Sequence, residues 1–123
     1  MALFSLSIEQ PFVTITASGN THTVDFSKPG NNYKITANNA TNTIAFSNLS
    51  NDLQGKSGYI IIDNPSSVGS LGWAALPATS YTPGGGAISF DTTASKQAVL
   101  SYLIVSSSIV LINYVGDFGS YPQ

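Results

Sequence analysis

The sequence predicts an all-β domain, either a sandwich or a barrel. Three observations carry that prediction. Apolar and polar residues alternate over short runs, the runs are rich in β-branched and aromatic residues, and Gly, Pro, Asn or Asp closes each run at a spacing of about ten residues. Alternation is the mark of a strand with one buried face, because successive side chains leave the backbone on opposite sides.

Phe4, Leu6 and Ile8 alternate with Ser5 and Ser7, and Val13 and Ile15 alternate with Thr14 and Thr16. The turn Ser18-Gly19-Asn20 separates these runs from the rest. Residues 1–19 therefore read as an N-terminal arm or strand, and 20–123 as the sandwich domain. His22, Val24 and Phe26 share one face, with Thr23 and Asp25 on the other. Lys28-Pro29-Gly30-Asn31-Asn32 turns the chain into Tyr33, Ile35 and Ala37, and Asn38-Asn39 precedes Ile44 and Phe46. A short turn is expected near residues 48–54. Tyr59-Ile60-Ile61-Ile62 is a continuous apolar run that ends at Asp63-Asn64-Pro65. Residues 99–105 and 109–115 are two more such runs, joined at Ser106-Ser107-Ser108 as a long hairpin. Runs without alternation predict strands buried on both faces, and their β-branched content favours strand over buried helix. Between them, residues 75–86 form the longest irregular stretch, with Pro77, Pro83 and Gly84-Gly85-Gly86. A loop of this length in a small domain is commonly a contact surface. Tyr81 and Pro83 are its candidate contact residues.

The composition narrows the function classes. The chain has 123 residues, no cysteine, a formal net charge of −2 and only 8% charged residues. An ordinary soluble domain carries about 25%. Four scattered lysines without arginine make no nucleic-acid footprint. No apolar run approaches the roughly 18 residues of a membrane span. With 42% apolar residues the chain has enough to bury to fold without a disulfide. So few charges predict a surface that meets other protein subunits, by self-assembly or by docking to a larger assembly. The opening MALFSLSIEQ has no basic leader and no long apolar stretch, so synthesis in a cytoplasm without secretory export is expected.

Chemistry-bearing patterns are sparse. His22 is the single histidine, and Asp25, three residues on, points from the opposite face of the same strand. No Gly-x-Ser-x-Gly elbow accompanies them. With one histidine and no cysteine, a transition-metal site has no usual ligand set, and the six acidic residues are isolated along the chain. The expectation is no catalytic residue, no metal and no cofactor. Gly84-Gly85-Gly86 lacks the Lys-Ser/Thr of a phosphate loop and reads as backbone freedom at a loop tip. Trp73, Tyr81, Tyr59 and Tyr114 admit two readings: a stacking platform for sugars, or core and subunit contacts.

The order of features from about residue 21 to 118 is distinctive. It runs Thr23-Val24-Asp25-Phe26, Asn32-Tyr33-Lys34-Ile35-Thr36, then Asn42-Thr43-Ile44-Ala45-Phe46-Ser47-Asn48-Leu49. Gly55-Lys56-Ser57-Gly58-Tyr59-Ile60-Ile61-Ile62, Leu71-Gly72-Trp73 and Pro83-Gly84-Gly85-Gly86 follow. Ile88-Ser89-Phe90-Asp91-Thr92-Thr93 then leads to Ala98-Val99-Leu100-Ser101-Tyr102 and the last strand. This set resembles a β-sandwich module of tailed-phage virion proteins, found in capsid decoration (cement) proteins and in fibre or knob proteins. The loop departs from the module's pattern where Tyr81-Thr82-Pro83 stands in place of a second Trp.

The resemblance implies an antiparallel, jelly-roll-like sandwich with an extended N-terminal arm, and no enzymatic activity. Because 123 residues leave no room for a shaft and an attachment domain, it favours a decoration protein on the outer capsid surface. The implied partner is the major capsid protein, and the implied assembly is a homotrimer. Phe4, Leu6, Ile8, Val13 and Ile15 are the expected arm contacts, with Tyr81 and Pro83 as loop contacts. The alternative is a tail-fibre or knob module that binds a receptor or glycan, which needs Trp73 and Tyr81 exposed. A small hydrolase would instead need a cleft holding His22 and two carboxylates.

Overall fold

Among the described residues, each alternating run contains a strand. The computed structural model describes residues 12–38, 41–65, 73–74, 76–90 and 95–121. The strands are β1 (Val13–Thr14), β2 (Thr21–Asp25), β3 (Tyr33–Thr36), β4 (Thr43–Ser47), β5 (Ser57–Asp63), β6 (Ser80–Tyr81), β7 (Gln97–Ser106) and β8 (Ile109–Phe118). Two single turns of 3-10 helix, Asn51–Leu53 and Pro83–Gly85, are the helical elements among these residues. The domain is all-β. Phe4, Leu6 and Ile8 lie outside the described residues.

The strands make a six-stranded sheet in the order β1-β3-β5-β7-β8-β6 and a two-stranded sheet, β2-β4. Pairing direction differs from the antiparallel, jelly-roll-like expectation. β1 with β3, β3 with β5, β2 with β4 and β6 with β8 run parallel. β5 with β7 and β7 with β8 run antiparallel, so the larger sheet is mixed. The physical reason is the route of the chain. From β1 to β5 it alternates between the two sheets, so each strand lies beside the one laid down a full circuit earlier. His22 is in register with Ile44, and Tyr33 with Ile60. Alternation reports that one face of a strand is buried and carries no information on its neighbour's direction.

The core lies between the layers. Val24, Phe26 and Ile44 of the smaller layer meet Tyr33, Ile35, Ile60, Ile62, Leu100, Tyr102, Ile104 and Ile112 of the larger. Phe26 is the aromatic centre, with ring centroids 5.6 Å from Tyr33, 5.1 Å from Phe46 and 5.2 Å from Tyr102. These edge-on and tilted contacts add to the area the rings bury. Lys56 closes one end of this cluster. Its ammonium donates to the carbonyls of Phe26 at 2.7 Å and Lys28 at 3.2 Å, and lies 5.5 Å from the Tyr33 ring centre. The 28–32 turn folds against the inner side of β5 at Gly58. There Tyr102 Oη donates to the Asn31 carbonyl at 2.6 Å and the Tyr59 amide to Asn32 Oδ1 at 3.0 Å.

Two buried phenols make this core sensitive to alkali. Burial pushes Tyr33 up to about 12 from 10.0, the nearby Asp25 charge adds to the rise, and a hydrogen bond with Tyr102 opposes it. Burial also raises Tyr102, as does its neighbour Tyr33. A folded-state value above the unfolded one stabilises the fold fully below the unfolded value, and that stabilisation is lost as pH rises toward the folded value. The urea midpoint is therefore expected to fall as pH rises from about 10 toward about 12, with a smaller fall for Tyr33→Phe. An equal fall in both proteins would show that Tyr33 is not responsible.

The β7–β8 hairpin turns at Ser107 and Ser108, inside the serine triplet read from sequence. It departs from expectation in one respect. Its inner side is buried at Ala98, Leu100, Tyr102, Ile104, Val110 and Ile112, whereas Leu103, Val105, Leu111 and Val115 are exposed. The strands carry apolar residues for two buried faces, and the described chain covers one. On β5 the neighbouring Tyr59 is exposed in the same way.

Candidate functional site

The exposed side of the hairpin forms a groove. Its rim comes from the irregular stretch. The Thr79 carbonyl accepts from the Val110 amide at 2.9 Å, which lays β6 along β8. After Tyr81 the chain turns sharply. Gly84 and Gly85 have φ of +63° and +70°, a region that strains any residue with a Cβ, so the triplet's first two glycines are required by backbone geometry. Thr82 Oγ1 donates to the Gly86 carbonyl at 2.6 Å and holds the turn closed. Tyr81 and Pro83 thus stand exposed at one wall of a groove of about 540 Å³.

The floor follows from strand register. Ser57, Leu103, Leu111 and Tyr81 form one row across β5, β7, β8 and β6. Tyr59, Ser101 and Asn113 form the next. Leu103 and Leu111 sit directly opposite each other, a cross-strand apolar pair left in solvent. The charged residues of this face, Lys34 and Asp63, lie in other rows, in register with Ile61 and Gln97. Tyr59, Tyr81, Leu103, Val105 and Leu111 are 39–53% exposed. Together they leave on the order of 400 Å² of side chain in solvent, the range in which surface patches on small proteins are commonly functional.

The other expected contact residues are placed differently. Val13 and Ile15 pack against the protein's own core, and their amides donate to the carbonyls of Asn32 and Lys34 at 2.8 and 3.0 Å. They fasten residues 13–15 to β3. Trp73 is half-buried against the core, with its ring 5.6 Å from Phe90 at 88°. Tyr81 is thus the exposed member of the Trp73–Tyr81 pair.

His22 is fully buried and does not line a cleft with carboxylates. Its Nε2 lies 3.0 Å from Asn42 Oδ1, which also accepts the Asn38 amide at 3.0 Å. A carbonyl oxygen only accepts, so the His22 proton is assigned to Nε2. The Trp73 ring lies 5.6 Å from the imidazole. Asp25 faces away and is used in a turn: its Oδ1 accepts from Ser27 Oγ at 2.6 Å, the Ser27 amide at 3.0 Å and Asn48 Nδ2 at 2.9 Å. The Ser27 hydroxyl, followed by Asn48, holds this carboxyl below the usual range. No group of three or more His, Asp or Glu side chains among the described residues is arranged to hold a metal.

No protein-family model matches the chain, and neither a curated protein nor a solved structure matches it. Leu103 and Leu111 are the site residues that sequence reasoning assigned to the core. Their signal was the unbroken apolar run itself, which marks a second buried face without saying whose atoms bury it.

Proposed function

We propose that the protein is a structural component of a tailed-phage virion, a capsid decoration (cement) protein that binds the outer capsid surface and bridges neighbouring subunits of the shell. The observation that carries this reading is the uncharged, apolar outer face at Leu103, Leu111 and Tyr81, on a chain with only 8% charged residues. Such a surface suits a subunit whose working state is an assembly. The ordered resemblance to virion modules supplies the kind of assembly. Of the antiparallel sandwich that resemblance implies, the antiparallel pairing of β5 with β7 and of β7 with β8 is what supports this reading.

In this reading the action is mechanical and involves no catalysis or cofactor. A standard interface buries about 1,600 Å², and repetition over a shell multiplies its effect. The partner is the major capsid protein and the protein acts as a homotrimer. Phe4, Leu6 and Ile8 grip the shell, Val13 and Ile15 anchor that arm to the domain, and Tyr81 and Pro83 serve contacts between subunits. The test is co-sedimentation with expanded, undecorated shells of the phage encoding the chain. Saturable binding that raises the temperature of shell disruption is expected, with binding lost on deletion of residues 1–11. Absence of binding at micromolar concentration would sink the reading.

One observation favours a second reading, a knob-type module that binds a glycan. Tyr81, Ser101 and Asn113 line the same groove, and an aromatic face, a hydroxyl and an amide are groups suited to a neutral sugar. That reading expects binding in a panel of neutral oligosaccharides, abolished by Tyr81→Ala.

A further inference from the structure

We infer that the uncharged strip formed by Tyr59, Leu103, Leu111 and Tyr81 is where copies of this chain meet, with the strip of each copy turned toward the three-fold axis of the trimer. The inference rests on the reading of the protein as an assembling subunit and names the surface it would use.

Four observations select a second copy as the occupant. The β7 and β8 runs are apolar on both sides, and the described chain buries one side. The strip exposes on the order of 400 Å², about half of what one partner contributes to a standard interface, and apolar cores of this kind are completed by a polar rim. Ser57, Ser101, Asn113 and Thr82 provide that rim.

Charge is the second selector. At a symmetry axis a residue meets its own counterpart, so a charge there meets a like charge, a cost that an uncharged strip avoids. The strip carries none, whereas Lys34 and Asp63 are set in other rows. Third, the edges of the larger sheet offer little to a neighbour. β1 and β6 have two residues each. On the smaller sheet, reciprocal bonds of 2.9 and 3.0 Å between Ser18 and Thr21 close the start of β2. Edge strands as short as β1 and β6 disfavour strand addition at those positions and favour association through the apolar face. Fourth, an apolar patch of this size promotes aggregation from the moment of folding. Another copy is the one partner present wherever the chain is made, and a closed assembly hides the patch without continuing into a filament.

The absence of cysteine makes the test direct. Leu111→Cys introduces a single thiol, which can bridge to its counterpart only if the two Cβ atoms come within about 4.5 Å. Mild oxidation is expected to link copies of Leu111→Cys about tenfold faster or more than copies of Thr23→Cys, a control on the exposed side of β2. Light scattering is expected to give a wild-type mass of a small multiple of 12.8 kDa and a single-chain mass for Leu111→Lys, with unchanged circular dichroism. Mixing Leu111→Lys with Leu111→Asp is expected to restore association, because opposite charges then meet at the axis. A monomeric wild type, a Leu111→Lys protein of wild-type mass, or equal cross-linking at positions 111 and 23 would each overturn the inference. A monomeric wild type that still sediments with shells would do so while leaving the decoration reading standing.

Discussion

Gly58→Ala is expected to destabilise the protein by about 3 kcal/mol or more, one of the largest effects of any single methyl group in this chain. A Cβ at Gly58 would overlap the Asn31 carbonyl oxygen and come within 2.8 Å of its carbon and 2.9 Å of Asn32 Oδ1. Two of these atoms are backbone, so no side-chain rotation relieves the overlap. The turn cannot withdraw freely either, because Tyr102 Oη holds Asn31 and Asn32 Oδ1 holds the Tyr59 amide. Retreat of the 28–32 turn would break both bonds and lift Tyr33 from the core. Urea unfolding measures the loss directly, and the thermal midpoint should fall by roughly 10 °C. Ala at Gly86 is the contrast. There the nearest atom to a Cβ is the Pro83 carbonyl oxygen at 3.7 Å, ordinary contact, so little change is expected. A cost below about 1 kcal/mol at Gly58 would show that the turn does not press on β5 as described.

The second large effect is expected at Asn42. Its side-chain oxygen is the shared acceptor for the His22 ring and the Asn38 amide, and both Asn42 and His22 are fully buried. Asn42→Leu keeps the volume and removes the acceptor. Two donors then lose their partner, at about 1–3 kcal/mol each, so a total of about 2–6 kcal/mol is expected. Replacing both partners by apolar groups removes one orphan donor, so His22→Leu with Asn42→Leu should cost less than the two single changes added together. The lone tryptophan gives a local readout, since Trp73 lies against the His22 ring. Its fluorescence should respond to Asn42→Leu before global unfolding. Additive costs in the double variant would show that the two side chains do not act as a pair.

Much of the fold was legible because burial leaves a period in the sequence. His22, Val24 and Phe26, Tyr33, Ile35 and Ala37, and Ile44 all lie on the faces that alternation assigns to the inside. The Ser107-Ser108 turn was legible because small polar residues interrupt two long apolar runs. Strand direction was not. Hairpin turns and crossings to an opposite layer draw on the same Gly, Pro and Asn residues, and only length separates them. β6 was hidden for another reason: two residues are too few to show a period. At the candidate site, Tyr81 and Pro83 stand exposed on the groove rim, where the length of the irregular stretch pointed. Leu103 and Leu111 were assigned to the core because an apolar side chain written for contact with another molecule is indistinguishable, in one sequence, from one written for the interior.

The circuit that carries the chain from layer to layer has a consequence for how such a protein can change its size. Thr21 rests on Thr43 and Asp25 on Ser47, so one circuit consumes about the same length of chain wherever it is measured along β2 and β4. Inserting one residue into a strand of such a circuit turns the side chains that follow it in that strand to the wrong face. Inserting a whole circuit leaves the inside-outside order intact and lengthens the body by one strand spacing, about 4.8 Å. The β5–β7–β8 portion, which bears the groove, would be untouched. Height and binding face are therefore separable properties of this architecture: the wound half can be extended in units while the antiparallel half keeps its surface.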